Sequence, residues 1–553
     1  MFLRQLALII ASSAVLAVLA GPVQNPHLVL PRDAAVHKQA VQNIFLESYA
    51  AYKEFAFGHD DLTPISKSFT DGRNGWGASI VDAMSTLHIM GQDKLFEEAV
   101  EFASKIDFSI SHTPDTTSVF ETTIRFLGGL LSAFELSGEK HPVLVQKAKE
   151  VADKMSVAFS LGNTVPYGFV NFNTSTPTIA TSNIAEAGTL SLEWATLTKH
   201  TGNATYRRLA ENSVRHIAGL TPPLPGLAAQ GIDPTSGNFV GALVTWGGGS
   251  DSYFEYLIKY PRLTNINDDL FADTWATAVD TSMRVLARTS TVGNHLYLAD
   301  QDDDGTIRHI SSHLACFHAG NWLFGGKLMN NQSIVDFGLR LADACWNTYA
   351  STTTGIGMEA FGFFSSDGNF TGANPTASDL AFYSQHGFFL FPGSEFYLLR
   401  PEVLESNFYA WRVTGDVKFL ERAAAATASF ERFLKVPKEE GVGFAGLWNV
   451  EDTGEGFIDD MESFWFAEVL KYLYLTFDDP EHISLDEWVF NTEAHPFKAP
   501  TAKPSYGSGA FPSPKGVPRP SSSQPFRSQS GTLPQVSVEP VLEGRVRVRG
   551  GGV

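Results

Sequence analysis

The sequence predicts an all-α protein built from paired helices. Three observations carry this. Segments with apolar residues at i, i+3, i+4 and i+7 recur between residues 34 and 496. Several stop at a glycine, often as Thr-Gly or Ser-Gly, the usual C-terminal stop of a helix. Only short β-like pieces such as "GFVNF" and "HLYLAD" stand between them. The recurring unit is a helix, a loop and a returning helix. Such pairs close into an α/α toroid or stack as a solenoid. The absence of an exact sequence repeat favours the toroid.

The first element stands apart from this fold. "MFLRQLALIIASSAVLAVLAGPV" has a basic Arg4, an apolar run and the small-residue site Val18-Leu19-Ala20. That is the layout of a signal peptide over residues 1–20, directing the chain to the secretory pathway and to secretion without a stable membrane anchor. A short segment, 21–33, leads into the body. Helical patterning then opens with "AVHKQAVQNIFLESYAAYKEFAF" and continues through "GASIVDAMSTLHIMG", "LFEEAVEFASKIDF" and "TTIRFLGGLLSAFELSG". It resumes in "IAEAGTLSLEWATLTKHTG", "YRRLAENSVRHIAGL", "SMRVLARTS" and "FGLRLADACWNTYAS". "FYAWRVTGDVKFLERAAAATASFERFL" and "MESFWFAEVLKYLYLTF" complete the body. From 497 to 553 the composition changes to Pro, Ser and Gly with eight Lys or Arg against two Glu. Such a segment cannot build a core and is expected to be disordered.

At 43% hydrophobic residues over 553 positions, the chain has ample material for one large core. A formal charge of −20 argues against nucleic acid as a partner and suits neutral ligands. No oligomer is indicated, and a monomer is the default. Asn173, Asn203, Asn331 and Asn369 each begin an N-x-S/T sequon, consistent with glycosylation on the secretory route. The two cysteines, Cys316 and Cys345, read as one disulfide in an oxidising compartment. A zinc site at His313, Cys316 and His318 is a weaker reading, because no second ligand cluster exists. "DQDDDG" at 300–305 imitates the start of a calcium loop, but its twelfth position is Ser311 instead of Glu.

The chemistry concentrates in acids set among aromatic and apolar residues. "YLLRPEVLESNFYAWRVTGD" carries Arg400, Glu402 and Glu405, with Pro401 suited to a first helical turn and the two acids three apart on one face. Glu121, Glu186, Glu193, Asp251, Glu255, Glu359, Glu462, Glu468 and Glu493 have similar surroundings. Each alone reads as a cap or a solvated face. Together they suit a sugar site: carboxylates bind hydroxyls, rings pack on sugar faces, and two acids suffice to cleave a glycosidic bond. No G-x-S-x-G, Walker A or H-E-x-x-H motif is present.

These segments, in order, resemble glycoside hydrolase family 47, the class I α-1,2-mannosidases. The likeness rests on "NGWGASIVDAMSTLHIMG", "SVFETTIRFLGGLLSAFELSG", "NIAEAGTLSLEW", "GSDSYFEYLIK", "HLACF", "LLRPEVLESNFYAWRVTGD", "MESFWFAEVLKYLYL" and "FNTEAHPF". It implies an (α/α)7 barrel, bound Ca2+ and inverting hydrolysis of terminal α-1,2-linked mannose on high-mannose N-glycans of glycoproteins. By motif, Glu121 is similar to the general acid, Glu402 to the base and Asp251 to a third catalytic carboxylate. A general acid needs a raised pKa, and burial against Phe120 is expected to supply it for Glu121. Thr492 matches the direct calcium ligand. Glu186, Glu255, Glu359, Glu405, Glu462, Glu468 and Glu493 match acids around the sugar and the metal's water shell, and Arg400 a substrate contact. Cys316 and Cys345 match the family disulfide. Gly249, two before Asp251, leaves space where other members carry a larger residue, which implies trimming of several branches. The alternative is a non-catalytic mannose-binding lectin on the same barrel.

Overall fold

The computed structural model describes residues 22–509. The predicted signal peptide, 1–20, lies outside them, as does the tail beyond 509. Fourteen helices form seven pairs among the described residues. The outer members are α1 (Ala34–Phe55), α3 (Asp93–Ala103), α5 (Pro142–Met155), α7 (Ala204–Gly219), α9 (Leu270–Val285), α11 (Gln332–Ala350) and α13 (Lys418–Phe433). The inner members are α2 (Ala78–Ile89), α4 (119–136), α6 (Ser191–Thr201), α8 (Asp251–Thr264), α10 (Phe317–Leu328), α12 (Glu402–Thr414) and α14 (465–477).

Burial separates the two rings. α13 buries one stripe, Phe419, Leu420, Ala423, Ala426, Thr427 and Phe430, as a surface helix does. α2 buries nearly all of its residues, including Asp82, Ser85 and Thr86. A helix covered on every side belongs inside. Each inner helix packs on the next, α2 on α4, α4 on α6, and so on to α14, which returns to α2. The ring is closed, so the toroid, an (α/α)7 barrel, is the architecture.

One end of the ring is filled by a hairpin of β1 (Trp488–Phe490) and β2 (Pro496–Lys498). Its tip, 491–495, reaches inside the ring. Asn491 Nδ2 donates to the Ile124 carbonyl of α4, Ser85 of α2 bonds His495, and Lys471 Nζ of α14 donates to the Ala494 carbonyl. Gly128 of α4 makes room: a Cβ there would lie 2.7 Å from Asn491 Nδ2. Other two- and three-stranded pieces, including Phe169–Asn171 and Leu296–Leu298, occupy the connections.

Three sequence expectations differ. Residues 497–509 are packed, not tail-like: Tyr506 is buried, and the Pro500 carbonyl accepts from buried Arg262. The boundary at 496 missed them because proline and glycine there carry a strand and turns docked on the body. "SMRVLARTS" is helical only to Val285; Ala287–Thr289 pairs with Leu296–Leu298 as strands. Ala377–His386 forms an additional helix in a connection, closed by a Thr376–Asp379 capping box. It buries only Tyr383, so it has no apolar stripe to read. The Cys316–Cys345 disulfide forms and joins α10 to α11, so Cys316 is not a zinc ligand.

Candidate active site

The ring encloses a cavity of about 890 Å³. Its acids arrive on the N-terminal turns of inner helices. Asp251 is the first residue of α8, Glu402 the first of α12, and Glu121 lies in the first turn of α4. Glu186 sits in a short helical turn, Ile184–Gly188, before α6. Unpaired N–H groups at a helix start favour negative charge, so the fold collects carboxylates at this mouth. The chain enters α12 through Leu399, buried at φ +64°, a left-handed conformation unusual for leucine. That turn points the chain from Tyr397 into Arg400, Pro401 and Glu402. α4 and α14 each contain a π-helical stretch, Thr122–Leu127 and Trp465–Val469. The second carries Glu468; wider turns of this kind shift a side chain's direction relative to a regular helix.

Of the sequence-selected residues, Glu121, Glu186, Asp251, Glu255, Arg400, Glu402, Glu405, Glu468, Thr492 and Glu493 all line this cavity. Glu359 and Glu462 stand behind its wall. Glu359 accepts from Arg400 Nε at 2.9 and 2.7 Å, and Glu462 lies 3.7 Å from Arg73 Nη2. Asn173, Asn203 and Asn369 are exposed and Asn331 is half-buried.

The three candidate catalytic carboxyls have different environments. Glu402 Oε2 lies 2.7 Å from His313 Nδ1, and His313 Nε2 lies 2.7 Å from the Tyr349 hydroxyl. An ionised carboxylate only accepts, so Nδ1 carries the proton of that bond. Burial pushes the Glu402 pKa up, but His313 and Arg400 together bring it below the usual carboxylate range. Glu121 Oε2 accepts from Arg125 Nε at 2.7 Å, with Arg73 Nε 3.4 Å away. Burial raises its pKa; the two guanidiniums outweigh that and lower it. The elevation expected for Glu121 from burial is therefore reversed. Asp251 has no such cation. Burial, with Glu255 and Glu402 nearby, pushes it up to about 7 against one N–H bond from Ser252 at 2.7 Å.

His313, Tyr349, Arg73 and Arg125 were not selected from the sequence as members of a sugar site. Their signal was present: a histidine in "HLACF" and an arginine in "FETTIRFLGG" are polar residues within apolar runs.

The profile of Glycosyl hydrolase family 47 matches residues 44–499. The chain belongs to this family. As a member of family 47 it is a glycoside hydrolase. It is 38% identical over 506 residues to the "Probable mannosyl-oligosaccharide alpha-1,2-mannosidase 1B" of Aspergillus clavatus, covering 87% of this chain and 96% of that one. It is 38% identical over 488 residues to the "Mannosyl-oligosaccharide alpha-1,2-mannosidase 1B" of Emericella nidulans, covering 84% and 93%. Among solved structures, the alpha-1,2-mannosidase from Trichoderma reesei superposes with a TM-score of 0.80 at 36% identity, covering 84% and 99%.

The family 47 resemblance implies calcium at Thr492, and the surroundings can be tested for it. Nine carboxyls line the cavity, Asp115 among them, against three guanidiniums, Arg73, Arg125 and Arg400. Glu405, Glu468 and Glu493 are buried, and burial first, with neighbouring acids second, raises all three pKa values well above normal against Lys259 beside Glu405 and Arg125 beside Glu493. Such a surplus of hard oxygen donors suits a divalent cation. Among the described residues, no three His, Cys, Asp or Glu side chains converge to ligate one ion directly. Thr492 lines the same cavity as Glu405, Glu468 and Glu493, so an ion there would meet the oxygens of Thr492 and acids able to hold its water.

Proposed function

We propose that the protein is a mannosyl-oligosaccharide 1,2-α-mannosidase. It hydrolyses terminal α-1,2-linked mannose from high-mannose N-glycans, with calcium and with inversion. The observation that carries this is one cavity in a family 47 barrel in which Glu121 and Glu402 are held ionised while Asp251 is pushed up to about 7. Relatives named for this activity, matched over most of both chains, support the substrate class.

The chain's own residues divide the work as follows. Glu402, kept ionised by His313 and Arg400, takes a proton from the attacking water. Inversion requires room for that water between base and acid, which separates the two carboxyls by roughly 6.5–9.5 Å in such enzymes. The resemblance gives the donor's part to Glu121. In the free site, Asp251 is the better proton store, since it titrates at about 7 while Arg125 and Arg73 hold Glu121 ionised. We assign Asp251 the stored proton and Glu121 a place beside it at the leaving oxygen. Arg400, braced by Glu359, orients substrate. Thr492 would hold the calcium ion, with Glu405, Glu468 and Glu493 fixing its waters; when bound, the ion would fix the terminal sugar's hydroxyls and ring shape.

Gly249 lies on the wall at φ +81°, and a Cβ there would sit 2.9 Å from Gln230 Nε2, so backbone conformation and close packing account for this glycine. The layout of residues 1–20 and the sequons support a reading in which the protein enters the secretory pathway. Incubation with a nine-mannose N-glycan, followed by mass, tests the proposal. Stepwise loss of four hexoses is expected. Glycan binding without any hexose loss would instead establish the lectin.

A further inference from the structure

Behind the cavity wall, a set of buried polar groups holds the turn that carries Thr492. Asn491 Oδ1 accepts from the backbone N–H of Glu493 at 3.0 Å and of His495 at 2.7 Å. The turn is tight: Asn491 N donates to the His495 carbonyl, and Ala494 adopts φ +54°. Asn491 Nδ2 donates to Glu193 Oε1 at 2.8 Å. The Tyr256 hydroxyl also donates to Glu193 Oε1, at 2.5 Å, and accepts from the Thr492 N–H at 3.2 Å. Glu193 thus reaches both ends of the Asn491–Thr492 peptide through two different side chains.

None of the three borders the cavity. Glu193 and Asn491 are fully buried and Tyr256 is 1% exposed. Glu193 Oε2 has no hydrogen-bond partner. A buried carboxyl with one oxygen unpartnered is an unfavourable way to stabilise a core, where an apolar side chain of similar size serves better. Its other oxygen joins α6, α8 and the hairpin tip at one point. We propose that Glu193 is a positioning residue, acting through Tyr256 and Asn491, that sets the orientation of the Thr492 oxygens toward the cavity. The inference rests on the proposed calcium site and adds the part of the chain that aims it.

The test uses the whole protein and calcium alone. Calcium affinity is measured by titration calorimetry, and the melting temperature is measured in excess chelator. Tyr256→Phe deletes one oxygen and leaves the ring in place. It should raise the calcium Kd about tenfold, the effect of losing an outer partner of a metal ligand, with the chelator melting temperature within about 3 °C of wild type. Glu193→Gln keeps an oxygen able to accept both bonds and should stay within about threefold. A rise of less than about threefold for Tyr256→Phe overturns the proposal. A loss in Glu193→Gln equal to that in Tyr256→Phe overturns it too, because the glutamine keeps the two bonds through which the proposal acts. If wild-type protein binds no calcium, the metal reading itself fails; binding that is intact in wild type and both variants sinks the positioning role alone.

Discussion

His313 and Glu402 form the pair on which the residue-scale chemistry turns. Glu402→Gln removes the base and should lower kcat by about 10²–10⁴-fold with the fold intact, read by steady-state kinetics alongside a thermal melt. The pH profile of kcat/KM should be a bell. Its alkaline limb reflects loss of a proton from Asp251 and falls as pH rises through about 7. Its acid limb reflects protonation of Glu402, whose pKa lies below the usual range. Because His313 depresses that pKa, replacing His313 with Gln should move the acid limb to higher pH and leave the alkaline limb in place. If Glu121 stores the proton instead, Asp251→Asn will keep the alkaline limb and Glu121→Gln will remove it. The candidate acids were legible in the sequence only as a set: each alone reads as a cap or a solvated face, and it is their number among aromatic residues that suits a sugar site. The Glu121–Arg125 pair stood in the sequence as an i,i+4 pair on one helix, but the approach of Arg73 did not, since it depends on which segments the ring brings together. Phe120 was the visible neighbour; the arginines were the decisive ones.

At the scale of elements, α4, α8 and α12 each present their N-terminal turn to the cavity, so one architectural rule positions Glu121, Asp251 and Glu402. The helices themselves were readable from periodicity and glycine stops. The π-helical stretches in α4 and α14 were not, because one widened turn leaves the apolar pattern nearly unchanged. The docked segment 497–509 was hidden for the opposite reason: its composition resembles a linker, and only its partners on α8 and α9 order it. The disulfide tests a link between layers. It closes a loop of 29 residues between an inner and an outer helix. Replacing both cysteines with serine should reduce stability by about 2–4 kcal/mol, seen as a lower urea midpoint.

The whole molecule is a closed ring with one end filled by its own final hairpin. Closure joins the first inner helix to the last, so no terminal pair can melt away as in a solenoid. Calorimetric and van't Hoff enthalpies of unfolding should therefore agree, with a single transition. Calcium, binding the folded ring alone, should raise stability by about 2.7 kcal/mol at a hundred times its Kd. Because the proposed site is surrounded by carboxyls with raised pKa values, calcium binding there should release protons and weaken as pH falls.

The most direct measurement is proton NMR of the first mannose released from an α-1,2-linked mannobiose, with calcium and again after chelation. The proposed site predicts β-mannose appearing first, before mutarotation, and no release once calcium is removed. Initial α-mannose, or release that persists in chelator, would contradict it.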